Sequence, residues 1–101
     1  MPKLYYNFIP DMDKNYYTIS AEGRELEEAK GVYFVLWEKN NKNQTEKWLR
    51  PNCANGYGKW TLEYQPNGER GRLYCLHVYK NDTKYVDEAE FFVEKRAKTY
   101  Y

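Results

Sequence analysis

The sequence predicts a single all-β domain, an antiparallel β-sandwich of about seven strands. Short runs of strand-forming residues recur at close intervals, turn chemistry separates them, and no helical period of useful length runs through the 101 residues. Aromatics make up 19% of the chain, with twelve Tyr and three Trp, and such residues suit pleated, half-buried surfaces.

The first strand is "KLYYNFI", closed by Pro10, and the second is "NYYTISAE", where Tyr17, Ile19 and Ala21 alternate with Tyr16, Thr18 and Ser20. "GRELEEAK" has room for one helical turn but lacks a convincing cap and reads as a connection. "GVYFVLWEK" is apolar on both parities, as a central strand covered on both faces would be. "NNKNQT" reads as a polar hairpin loop and "EKWLR" as a short strand ended by Pro51. "PNCANGYG" carries an Asn-Gly pair and a second Gly, a strong turn signal. "KWTLEYQ" alternates as a half-buried strand, "PNGERG" and "NDTK" are turns, and "RLYCLHVYK" and "AEFFVEK" are the last strands, with a tail "RAKTYY". Within the all-β class, this count and length suit an immunoglobulin/fibronectin-like sandwich spanning residues 1–101 as one domain.

Charge excludes some partners. Sixteen basic against fifteen acidic residues leave a net charge of +1, without a charge block, so no nucleic-acid surface is expected. "GVYFVLW" is far shorter than the roughly 20 residues of a membrane span. The N-terminus lacks the layout of a signal peptide. A monomer is the expected state.

The segment "GRLYCLHVYK" holds Cys75 and the chain's one histidine, His77. Alternation puts Tyr74, Leu76 and Val78 on the core face and Cys75, His77 and Tyr79 on the other. Cys75 and His77 then lie about 7 Å apart, beyond the reach a thiol nucleophile needs from its base. A zinc site needs three or four ligands, against two Cys and one His. No catalytic residues, metal site or cofactor are expected. A Cys53–Cys75 disulfide and two free thiols both remain open. Trp37 and Tyr74 are expected as core aromatics, the second in the manner of the corner tyrosine of immunoglobulin-like sandwiches.

Three segments, "VYFVLWEKNNKNQTEKW", "GKWTLEY" and "YCLHVYKND", together resemble the bacterial GBS Bsp-like repeat, over residues 16–93. In that family an apolar strand ends in Trp, a polar loop leads to a second Trp, and a Tyr-x-Val-His-Val-Tyr segment closes the repeat. The resemblance implies a non-catalytic, extracellular or cell-wall-associated accessory module beside hydrolases of Gram-positive walls. Its partner would be a cell-wall polysaccharide or peptidoglycan. The residues supply a physical warrant of their own, because the aromatic surplus exceeds what one core hides. Trp48 and Tyr57 are the expected ligand-binding aromatics, with Asn43, Gln44 and Glu46 to bond hydroxyls. Tyr33, Trp60, Tyr64 and Tyr79 are further flat faces, and Asn41 a further polar group. The alternative is a protein-interaction or spacer sandwich with a protein partner and no sugar binding.

Overall fold

Among the described residues eight strands form, seven on the expected strand-forming runs and a two-residue one, β5, inside the expected turn "PNCANGYG": β1 (Tyr5–Asp11), β2 (Tyr16–Glu22), β3 (Val32–Glu38), β4 (Lys47–Leu49), β5 (Asn52–Cys53), β6 (Lys59–Tyr64), β7 (Arg72–Lys80) and β8 (Lys84–Val93). This computed structural model describes residues 3–11, 13–14, 16–66 and 71–94. The interior of the "PNGERG" turn and the tail after Glu94 lie outside the described residues. The strands pair antiparallel into two four-stranded sheets, ordered β1-β2-β6-β5 and β4-β3-β7-β8.

Both sheets contribute to one core. Register sets Tyr17, Ile19 and Ala21 of β2 opposite Tyr64, Leu62 and Trp60 of β6. In the other sheet, Phe34 and Leu36 of β3 face Val78 and Leu76 of β7. All of these join a single cluster with Leu26, Val86, Phe91 and Val93, as buried members or packed against it. Ring contacts cross from one sheet to the other, Tyr64 to Tyr74 at 6.2 Å and Tyr17 to Phe91 at 5.9 Å.

One side is closed by β1 against β8. Phe8 stacks on Phe91 at 4.4 Å, and the Leu4 amide donates to Asp87 Oδ2 at 3.1 Å. Burial, then the Asp87 carboxylate, pushes the Tyr6 phenol far above its ordinary range.

Several local readings change. Pro10 lies inside β1, opposite Tyr17, rather than ending the strand. An edge strand tolerates proline, because one row of its amides needs no partner. "GRELEEAK" contains a 3-10 turn at Arg24–Leu26 that drops Leu26 into the core. The loop after β3 contains a one-turn helix, α1 (Lys42–Thr45). Thr45 Oγ1 ties it to β3 by accepting from the Glu38 amide at 2.8 Å and donating to the Asn41 carbonyl at 2.7 Å. The final strand begins at Lys84, well before "AEFFVEK". Its hairpin turns at Asn81 and Asp82, both left-handed at φ 51° and 72°, a conformation that Asn and Asp accept more readily than other side chains. A bulge between Val78 and Tyr79 pairs Tyr79 with Tyr85 and Val78 with Asp87, which leaves Val86 extra and turned into the core.

Leu76 is fully buried between the sheets. Leu76→Ala is expected to lower unfolding stability by about 2–5 kcal/mol, whereas Ile9→Ala on the exposed face of β1 should change it by less than about 0.5 kcal/mol. Urea titrations followed by circular dichroism check both.

Candidate ligand-binding face

Strand β3 cannot hide both of its faces in the core. Val32, Phe34 and Leu36 point between the sheets, so Tyr33, Val35 and Trp37 point outward. By register, Trp48 of β4 and His77 of β7 flank Val35, Cys75 lies opposite Trp37, and Tyr79 opposite Tyr33. Across β7, Tyr85 pairs with Tyr79, Glu88 with His77 and Glu90 with Cys75. The outer face of this sheet is therefore laid with rings.

The rings meet in sequence. Tyr33 stands edge-on to Trp48 (5.3 Å, 81°), Trp48 is tilted to Tyr79 (5.2 Å, 33°), and Tyr79 stands edge-on to Tyr85 (5.8 Å, 67°). Tyr85 continues to His77 at 5.5 Å, and His77 to Trp37 at 4.4 Å. A cation caps each end: the Arg50 guanidinium lies 3.7 Å from the Tyr33 ring centre, and Lys42 Nζ 4.5 Å from that of Trp37. Each ring pair adds roughly 0.5–1.5 kcal/mol beyond area burial and fixes the tilt of its members.

Polar groups rim the rings. Trp48 Nε1 donates to Glu46 Oε1 at 3.0 Å, holding the indole plane. Arg50 pairs with Asp82 at 2.9 Å. Glu88 receives His77 Nε2 at 2.8 Å and the Tyr85 hydroxyl at 3.1 Å. Burial, then that hydrogen bond to Glu88, raises the Tyr85 phenol, so it stays a neutral donor. Lys39 bridges to Glu90 at 3.0 Å.

Trp48 is 48% exposed and Tyr85 47%, so rings remain open to a partner although their orientation is set from below. Trp48 and Glu46 thus belong to this face. Asn43 and Gln44 are exposed on α1, where Gln44 Oε1 accepts from Asn41 at 3.3 Å, beyond the Trp37 end of the rings. Tyr57 lies elsewhere, in the loop between β5 and β6 of the other sheet, so the two expected ligand-binding aromatics, Trp48 and Tyr57, stand on different sheets.

The two expected core aromatics separate. Tyr74 is fully buried between the sheets. Trp37 is only 7% exposed but lies outside the inter-sheet cluster. It sits on the outer face, against His77 and beneath Lys42, because it has the same parity on β3 as Tyr33 and Val35. Two proposed flat faces go the other way: Tyr64 is buried and Trp60 packs on the core, its Nε1 donating to the Leu26 carbonyl at 3.4 Å. Tyr85, Arg50 and Lys42 had not been singled out in the sequence. The signal for Tyr85 was its place across the "NDTK" turn from Tyr79.

Cys75 and His77 share the outer face as alternation requires, but the nearest polar partner of His77 is Glu88. Cys53 on β5 and Cys75 on β7 belong to different sheets and are free thiols. Among the described residues no group of three or more His, Cys, Asp or Glu is placed to hold a metal ion, and no helix is long and apolar enough to cross a membrane. Comparison of the chain with models of known families, with curated proteins and with solved structures found no match.

Burial, then Glu90, pushes the Cys75 thiol up, so less of it is thiolate at a given pH. Iodoacetamide at mildly alkaline pH is expected to modify the exposed Cys53 first and Cys75 several-fold more slowly, with both reactive in the absence of reductant. Peptide mass spectrometry reads both rates.

Proposed function

We propose that the chain is a non-catalytic binding module whose ligand face is the ring-covered outer side of β4-β3-β7-β8, and whose ligand is a bacterial cell-wall polysaccharide or peptidoglycan. The observation that carries this reading is the run of mutually packed rings from Tyr33 through Trp48 and Tyr79 to Tyr85, with Trp48 and Tyr85 exposed and Tyr33 and Tyr79 half-buried, rimmed by Glu46, Arg50, Asp82 and Glu88. Pyranose rings carry apolar C–H patches that pack on aromatic faces, while their hydroxyls take hydrogen bonds from groups such as those at this rim. Rings already locked in place lose little freedom on binding.

The finer fold reading is an immunoglobulin/fibronectin-like sandwich. In its support, β1-β2-β6-β5 over β4-β3-β7-β8 follows the scheme of strands A, B, E, D over C, F, G, with one strand added beside C. Tyr74 near the start of β7 occupies the place of the corner tyrosine. With the likeness to the GBS Bsp-like repeat, this makes the chain an extracellular or wall-associated accessory module positioning a neighbouring hydrolase, monomeric and without an active site of its own.

A second reading rests on one observation. Leu73 and Phe92, paired across β7 and β8, extend the outer face with exposed groups that carry no polar tip, which suits a protein partner better than a sugar.

Co-sedimentation of the purified domain with Gram-positive sacculi, with and without wall teichoic acids, separates the two. The expected result is pelleting that Trp48→Ala abolishes while circular dichroism stays unchanged. Wild-type protein left in the supernatant with every preparation overturns the wall-binding reading.

A further inference from the structure

The other sheet carries two tyrosines that the ring layer does not explain. Tyr5 on β1 is 82% exposed and Tyr57 in the β5–β6 loop 58%, and among the described residues neither ring packs against another. They rim one open hollow of about 370 Å³, within the range of roughly 300–1,000 Å³ for small-ligand sites.

The hollow is held in shape from beneath. Asn55 Oδ1 accepts the Tyr57 and Lys59 amides at 3.0 and 3.2 Å, fixing the loop that presents Tyr57. The Gly23 amide donates to the Gly58 carbonyl at 3.1 Å, joining that loop to the turn after β2. Neither position takes a side chain without a shift or strain nearby. A Cβ at Gly23 would lie 2.6 Å from Leu4 Cδ2, and Gly58 has a left-handed φ of +68° with Glu27 Cγ 3.2 Å from where its Cβ would be. The floor is therefore bare backbone.

Glu22, Arg24 and Glu27 complete the lining. Among the described residues their side-chain head groups enter no hydrogen bond or ion pair, unlike the rim of the aromatic face, where Glu46, Arg50 and Glu88 are engaged. Residues carrying acceptors (two carboxylates) and donors (a guanidinium and the Asn55 amide nitrogen) thus line the same hollow as two exposed tyrosines. A cation would meet the like charge of Arg24. A neutral polyhydroxylated ring uses donors and acceptors together and offers C–H patches to tyrosine.

We infer that this hollow is a second ligand site, taking one pyranose unit of a saccharide between Tyr5 and Tyr57. It lies on different elements from the ring layer and stands or falls separately from it.

The test is titration of the isotope-labelled domain with methyl β-glycosides of glucose, galactose and N-acetylglucosamine, and with butylammonium, followed in amide correlation spectra. At least one glycoside should give saturable shifts confined to Gly23, Arg24, Asn55, Tyr57 and Gly58. Tyr57→Ala should weaken that binding roughly fivefold or more, about the size of an aromatic contact. Arg24→Ala should weaken it as well, Tyr57→Phe should retain it, and Trp48→Ala should leave it intact even where wall sedimentation is lost. Arg24 is exposed, so its variant carries the test if Tyr57→Ala loses its fold. The inference is overturned if no glycoside moves these amides, if butylammonium moves them instead, or if binding survives both Tyr57→Ala and Arg24→Ala.

Discussion

Everything on the proposed ligand face follows from β3 being apolar on both sides. Phe34 and Leu36 find cover between the sheets. Among the described residues no further sheet lies above Val35 and Trp37, both buried, and they are covered by side chains of their own sheet and, over Trp37, by Lys42 of α1. Large, flat groups reach readily across strands that lie about 4.8 Å apart. Trp48, His77, Tyr79 and Tyr85 do this from β4, β7 and β8, and a layer one side chain thick leaves its upper surface in solvent. The same packing therefore protects β3 and exposes rings. Arg50 and Lys42 finish the layer at its ends, where the strand run gives way to turns.

The pattern within a strand was legible and the pattern between strands was not. Period-two alternation assigned Tyr74, Leu76 and Val78 inward and Cys75, His77 and Tyr79 outward, and the register agrees residue by residue. The apolar run on both parities marked β3 as needing two covers, but not which residue took which. Trp37 was assigned inward because a large aromatic on a central strand usually is core; the parity of Phe34 and Leu36 decides otherwise. Trp48 and Tyr57 flank one turn-rich stretch of sequence, yet the chain changes sheets within it, since β4 and β5 belong to opposite sheets. Tyr85 reaches the face only through the bulge opposite Val78 and Tyr79, and a bulge leaves no local sign as distinct as Asn-Gly at a turn.

Turn chemistry bears on function too. Gly23, Gly58 and Asn55 fold two loops against each other at one end of β1-β2-β6-β5, while Asn81 and Asp82 turn β7 into β8 beside the ring layer. Asn81 also accepts the Lys30 amide at 2.9 Å, and Asp82 holds Arg50, so that turn is braced by the residues just before β3 and just after β4. Two surfaces on different sheets, both rich in free ring area, would let one module hold two points of a polymer. Effective concentration then strengthens binding without further contacts.

The central claim is that the outer rings are in place and open to solvent while Trp37, beneath them, is not. Photochemically induced nuclear polarisation, which responds only to solvent-accessible Trp, Tyr and His rings, tests this most directly. The free domain should show polarised Trp48 and Tyr85 signals with Trp37 and Tyr74 dark, and a soluble wall glycan fragment should suppress Trp48 and Tyr85 together. A dark Trp48 in the free domain, a bright Trp37, or a bound fragment that leaves both outer rings polarised would contradict the account.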